Sequence, residues 1–328
     1  MAWVAAALLV VAPGCDRDDG DTSSSSGSSG TSGTSGTSGT TGGFWAVGET
    51  GSMVRTTPAG TPSLYPERFG VNLWAIACVG ADEAWVAGDA GTVLRTVDAG
   101  NTWQRIETGR TEDFYTVAVA EDAGVVYVAG DGVLLAAPPE GAFEPVGDLG
   151  SVTALAASAE HARAFAVTAE GRVWRIEGRE TTDPVFDAGV PLLGVAVDAS
   201  AEVVVAVGAA GSAFTSLDGG TTFVPVPTGV DADLHAVSTV GATGAFVAVG
   251  EGGFVVRYDG IEVEAVEALD PVEELRAIHL RADGIGQVAG TGGVIFVTVD
   301  GGRTWSLQVV ETRPDLAGID DFRPHPHA

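Results

Sequence analysis

The chain has no lysine: its 16 basic residues are all arginine, set against 44 aspartates and glutamates, for a formal net charge of −28. Without lysine there is no P-loop to reach a phosphate and no Schiff-base chemistry. The acid excess disfavours nucleic acid, whose phosphates need a basic footprint. It also disfavours an anionic membrane surface except through an attached lipid, and it favours solubility and basic or metal-bearing partners. Cysteine is nearly missing. Cys15 and Cys78 stand alone, which excludes zinc pairs, and no disulfide is expected. Cys78 lies in an apolar segment and reads as a buried structural thiol. His161, His235, His279, His325 and His327 show no His-Glu-x-x-His spacing, and the last two sit in a short Pro-broken tail. Helical spacing is scarce, so a parallel α/β fold has no room for its connecting helices. Gly284-Ile-Gly286-Gln-Val-Ala289 matches a dinucleotide fingerprint on paper, but it leads into a strand rather than a helix and lacks the anion-binding helix terminus.

What is present is a repeat. Short apolar segments begin at Leu73, Phe114, Val152, Leu192, Leu234, Leu275 and Leu316, at spacings of 41, 38, 40, 42, 41 and 41 residues. Fifteen or sixteen residues after the first six starts, a second apolar strand ends at Gly88, Gly130, Thr168, Gly208, Gly250 or Gly290. One further second strand, Phe44 to Gly48, has no first strand before it, and Leu316 to Ile319 is a first strand with no second after it. A unit of about 40 residues is the size of a four-stranded propeller blade. Six whole units and one divided between the two ends make an all-β, seven-bladed β-propeller of antiparallel blades. The C-terminal strand completes the first blade, and closure leaves only short, protected sheet edges. Strands such as Val203–Val207 are continuously apolar, as expected when neighbouring blades cover both faces. The regular period makes residues 44–322 one domain rather than two.

Three turns share the pattern Thr/Ser-x-Asp-x-Gly-x-Thr-aromatic: Thr96 to Trp103, Ser216 to Phe223 and Thr298 to Trp305. An Asp in such a turn accepts hydrogen bonds from amides just ahead, and Gly supplies the positive φ. Asp98, Gly100, Trp103, Asp218, Gly220, Phe223, Asp300, Gly302 and Trp305 are therefore structural candidates, with the aromatic expected to plug the blade core. The pattern closely resembles the Asp-box, or BNR, repeat of sialidases, sortilin-type receptors and the photosystem II stability/assembly factor family. With the preceding Gly-x-x-Gly and Arg-Thr positions it is most similar to the last of these, over most of Phe44 to Phe322. The resemblance implies a WD40-like, non-catalytic propeller that binds a protein or assists assembly. In that family repeated arginines form a partner-binding surface, which makes Arg55, Arg95, Arg175 and Arg257 candidates. Ala137, Thr215 and Val297 interrupt the series, and the competing reading pairs each Arg with an acidic neighbour in the adjoining blade.

A second repeated position follows the second strand, on the opposite face from the Asp-containing turns. It carries Glu49, Asp89, Asp131 and Glu251, with Glu170 nearby, and closure would make these a partial ring at the channel mouth. They read either as solvated turn residues or as a rim that binds cations or arginine. Sialidase catalysis would need converging arginines and a Tyr nucleophile, whereas Tyr65, Tyr115, Tyr127 and Tyr258 are scattered. No enzyme activity, cofactor or bound metal is expected. Carbohydrate binding is a further alternative, favoured by exposed aromatics on one face, but Trp45, Trp85, Trp103, Trp174 and Trp305 fall at positions that predict burial.

Ahead of the propeller, residues 1–14 are apolar and too short to span a bilayer, which takes about 20 residues. With Cys15 they resemble a bacterial lipoprotein signal, in which Cys15 is lipidated. The missing basic n-region leaves a plain secretion signal, or no signal, as alternatives. Residues 16–43 are acidic, then Ser, Gly and Thr, and cannot bury enough apolar surface to fold. Gly27 occupies the position where a calcium loop needs Glu. Such a tether spans roughly 30 Å. The expectation is a lipid-anchored, monomeric envelope propeller with a protein partner, a surface polysaccharide as alternative ligand, and a frayed tail at residues 323–328.

Overall fold

A computed structural model describes residues 44–56, 63–65, 69–80, 82–181, 183–270, 274–309 and 315–321. The expectations placed on residues 1–43, including Cys15, and on the tail at 323–328 lie outside these residues.

Seven antiparallel sheets follow one another along the chain. The first takes its innermost strand from the far end: Leu316–Asp321 pairs with Phe44–Gly48, which pairs in turn with Ser52–Thr56 and Ser63–Leu64. The register runs from Phe44 opposite Asp321 to Gly48 opposite Leu316. The innermost strands of the other six blades are Leu73–Val79, Phe114–Ala120, Val152–Ala157, Leu192–Val197, Leu234–Val240 and Leu275–Leu280. Each packs against the next, and Leu316–Asp321 contacts both Leu275–Leu280 and Leu73–Val79, so the circle is complete. The protein is a seven-bladed β-propeller closed by its C-terminal strand. The fourth blade departs from four strands: Arg172–Glu177 pairs on its outer side with two short pieces, Glu180–Thr181 and Phe186–Asp187.

The core lies between blades. Trp45 and Trp85, each in a second strand, are fully buried, as are Phe44, Phe114, Phe165 and Phe246. Truncating a side chain of this kind to alanine costs about 3–5 kcal/mol. Cys78 is buried and free of any disulfide.

The glycine that ends most second strands has a steric cause. A Cβ on Gly48, Gly88, Gly130, Gly208, Gly250 or Gly290 would lie 1.9–2.4 Å from the backbone oxygen of the residue before the paired innermost strand. That approach exists because six of the innermost strands bulge after their first residue, as Leu73 pairs Gly88 while Ala75 pairs Ala87. The bulge leaves the carbonyl before the strand aimed at the amide after the glycine, 3.0 Å in the case of Asn72 and Asp89. The first blade has its own register shift, at Val47/Gly48. Thr168 replaces glycine in the fourth blade, and the same bond survives there from Ala169 to Ser151 at 2.9 Å.

Candidate functional site

The pairing of each innermost strand's first residue with the last residue of the second strand defines two faces. One carries the turns between second and third strands, close to the axis. The other carries the turns between third and fourth strands.

The Asp-containing turns occupy the latter face and are closed hydrogen-bond systems. Asp98 accepts from the Thr102 amide at 2.8 Å and the Thr102 hydroxyl at 2.7 Å, and the Thr96 hydroxyl donates to it at 2.8 Å. Asp218 and Asp300 repeat the arrangement with Thr222 and Ser216, and with Thr304 and Thr298. These donors favour the ionised carboxylate. The Thr102 hydroxyl and amide hold Asp98 below the usual carboxylate range, and the Thr222 amide and hydroxyl lower Asp218 to about 2. For Asp300, desolvation is the largest single influence and opposes the shift, but the Thr304, Thr298 and Arg303 donors together outweigh it and bring it to about 2.

The aromatics of these turns pack, half-buried, against core shared by their own blade and the preceding one. Trp103 is half-buried and meets Trp45 of the preceding blade edge-on, with centroids 5.9 Å apart. Phe223 stacks on Phe186 of the preceding blade at 4.8 Å. Gly100 and Gly220 press on Trp45 and Phe165, where a Cβ would come within 2.4 and 2.5 Å. Gly302 sits against Val247 of the blade before it, with Trp305 half-buried beside it. The turns thus fasten one blade to the previous one. Trp174 is likewise half-buried rather than buried.

The four repeated arginines are mostly engaged. Arg95 pairs with Glu83 of its own blade at 2.9 Å and with Glu140 of the next at 2.7 Å, and lies 5.0 Å over Trp85. Arg257 is buried and pairs with Glu264 at 2.8 Å, while Arg175 is 3.5 Å from Glu177. Both of these partners belong to the arginine's own blade rather than the adjoining one. Arg55 is exposed and lies 5.9 Å over Trp45.

Around the axis at the other face, the bulged position of each innermost strand contributes one residue. In ring order, with the first blade's Ala317 leading, these are Ala317, Trp74, Tyr115, Thr153, Leu193, His235 and Arg276. Trp74 and Tyr115 are half-buried and meet edge to face, centroids 6.3 Å apart. Each is tied to a carboxylate of its own blade. The Trp74 indole N–H donates to Asp89, which also accepts from the Asn72 amide group at 2.9 Å. The Tyr115 hydroxyl donates to Asp131 at 2.9 Å. Burial and the charges of Asp131, Asp113 and Asp89 push the Tyr115 hydroxyl far above an ordinary phenol, so it remains a donor. Two members of the carboxylate rim, Asp89 and Asp131, are therefore brought together through an aromatic pair. Glu251 lies near His235, with Asp233 and Glu274. Glu49 and Glu170 are exposed on their own turns. Among the described residues, no three His, Cys, Asp or Glu side chains gather closely enough to hold a metal ion.

A second set of carboxylates on this face escaped the sequence reading. Asp113, Asp233 and Asp315 each precede an innermost strand and accept from a turn amide of the preceding blade: Ala90 at 2.8 Å, Ala210 at 2.8 Å and Gly292 at 2.7 Å. Asn72 does the same for Thr50 at 3.0 Å. Thr50, Ala90 and Ala210 hold φ of 52–54°, a conformation costly for a residue with a Cβ. The side-chain acceptor helps to fix it. The signal was legible as an Asp or Asn directly before four of the apolar segments.

The fold and these sites define the class: a closed β-propeller. Solved structures similar to it include YCF48 bound to D1 peptide, at 17% identity and TM-score 0.57, covering 72% of this chain and 82% of that one. YCF48 from Cyanidioschyzon merolae matches at 17% identity and TM-score 0.57, over 78% of this chain and 96% of the other. The WD40 β-propeller domain of Doa1 matches at 11% identity and TM-score 0.64, over 75% and 84%. At these identities the likeness is one of fold. No protein-family model and no curated protein matches the sequence.

Proposed function

We propose that the protein is a non-catalytic propeller that binds a segment of a protein partner at the axial face bearing Trp74, Tyr115, His235 and Arg276. The observation that carries this is the contrast in hydrogen bonding between faces. The Asp-containing turns use their polar groups on themselves, whereas the axial ring presents half-buried aromatics and carboxylates that can still accept. The likeness to YCF48, one structure of which holds a D1 peptide, supports the reading by analogy of fold. The Asp-box resemblance supports the same kind of role, as an assembly factor or partner-binding protein, and a photosynthetic role does not follow from it. Lipidation of Cys15 and residence in the cell envelope belong to this reading as proposals resting on the sequence of residues 1–43.

Site-specific photocrosslinking tests the reading. A photoreactive residue at exposed Glu49, on the axial face, should trap a defined partner from native envelope. One at Leu217, 62% exposed on the opposite face, should not. Equal crosslinking from both would remove the assignment of the face. Separately, Cys15→Ser should release the protein from membranes, and continued sedimentation with the envelope would count against the anchor.

A further inference from the structure

The axial ring is uneven. On one side a guanidinium stands among the carboxylates: Arg276 pairs with Glu274 at 2.9 Å, near Asp233 and Glu251. On the other, Asp89, Asp113 and Asp131 surround Trp74 and Tyr115, and no ion pair among the described residues neutralises any of the three. Their hydrogen bonds come from neutral donors: the Trp74 indole, the Asn72 amide group, the Tyr115 hydroxyl and the Ala90 amide. A carboxylate offers about four lone-pair sites, so acceptor capacity remains on each. Three unneutralised carboxylates beside two aromatic rings are complementary to a cation that presents a flat face and several N–H donors.

A separate observation in the same ring also points to a ligand. His235 occupies the bulged position of its blade, is only 8% exposed, and neither ring nitrogen has a hydrogen-bond partner. Its charged neighbours, Glu274, Asp233, Arg276 and Glu251, all belong to this end of the ring. A buried imidazole with both nitrogens unsatisfied costs free energy unless something pairs with it.

We propose that the Trp74–Tyr115 corner receives the guanidinium of an arginine in an extended segment of the partner, laid against the aromatic rings and the open acceptor positions of Asp89, Asp113 and Asp131, while the segment's backbone crosses the ring towards His235. This rests on the axial face being the partner-binding surface. Arginine suits the corner better than lysine because its planar group stacks on a ring and meets a carboxylate with two parallel donors. The occupant is the inverse of what the repeated arginines suggest: the protein supplies acid and the partner supplies base, as a net charge of −28 favours.

The test uses the full chain, ¹⁵N-labelled, and the peptides Ala-Ala-Arg-Ala-Ala, its lysine counterpart and its citrulline counterpart, which keeps the shape and loses the charge. The readout is the Trp74 indole N–H resonance, identified by its loss in Trp74→Phe. The arginine peptide should shift that resonance saturably, with the citrulline peptide at least about tenfold weaker, equivalent to 1.4 kcal/mol. The double variant Asp89→Asn/Asp131→Asn should weaken the arginine peptide about tenfold, and Tyr115→Phe, which keeps the ring, should weaken it less. Equal responses to arginine and citrulline, or an unmoved Trp74 resonance at millimolar peptide, would overturn the inference. If that happens while crosslinking from Glu49 still traps a partner, the binding face stands and only the arginine corner falls. If both fail, both readings go.

Discussion

Aspartates crowd both faces of this propeller, and the two sets are wired differently. Asp98, Asp218 and Asp300 are saturated by the hydroxyls and amides of their own turns, and those turns press their glycines, and in two cases an aromatic, onto the preceding blade. Asp89 and Asp131 stand at the axis, held by neutral donors and with room for more. The same side chain acts as a fastener in one place and as an acceptor facing solvent in the other. The difference comes from whether the local backbone supplies enough donors to consume the charge.

The sharpest way to break this comparison is to remove what both faces depend on. Deleting residues 315–328 takes away the innermost strand of the first blade, and calorimetry should then show loss of the single cooperative unfolding transition. Next in size, Gly208→Ala puts a Cβ 2.1 Å from the Pro191 oxygen, and denaturant unfolding should show a loss of about 3 kcal/mol. Thr168→Gly, at the corresponding place in the fourth blade, should cause far less change.

The pH dependence of stability separates the two sets directly. Asp218 and Asp300 have folded-state values near 2, below the ordinary carboxylate range, so their contribution is present above the unfolded value of about 3.9 and is lost as pH falls towards 2. Asp98, also lowered, acts in the same sense. The triple variant Asp98→Asn/Asp218→Asn/Asp300→Asn should melt lower at pH 7 and show a flatter acid limb between about pH 4 and pH 2. Asp89→Asn/Asp131→Asn should leave the melting midpoint within about 2 °C while losing arginine-peptide binding. A large stability loss in that pair would erase the distinction between the sets.

The smallest effect expected is a gain. Ala99 holds φ 56° in a position filled by Gly219 and Gly301 in the sister turns. Ala99→Gly should stabilise by about 0.5 kcal/mol, because relief of the left-handed strain slightly exceeds the added chain entropy. Thermal unfolding at neutral pH resolves a change of that size.

The circle was legible because its causes are local and repeated. Glycines such as Gly88 and Gly250 mark a backbone approach that no side chain permits, and the unmatched strands at Phe44 and Leu316 could only belong to one another. The axial ring was harder to see. Trp74 lies in a continuously apolar strand, where no alternation reveals which way a residue faces, and the bulge that displaces it is a property of pairing rather than composition. Trp45 and Trp85 occupy equivalent places in second strands, where the extra residue of the bulge falls on the paired innermost strand instead, and they are buried as their context predicts. The arginines show the converse failing. Arg95 and Arg257 recur at one position, but recurrence cannot say that Glu83 and Glu264 lie beside them, since those contacts depend on how adjacent strands register; only Glu177, two residues from Arg175 on the same strand, was within reach of the sequence.

The strand shared between the two ends also sets an order of events during synthesis. Phe44–Gly48 leaves the ribosome early with one flank unpaired, and its partner at Leu316–Asp321 follows only after the intervening six blades have been made. Until then the nascent arc carries an exposed strand edge at its start, of the kind that pairs promiscuously with other chains. Emergence of Leu316–Asp321, rather than of any earlier blade, is therefore the moment at which this molecule becomes safe from its neighbours.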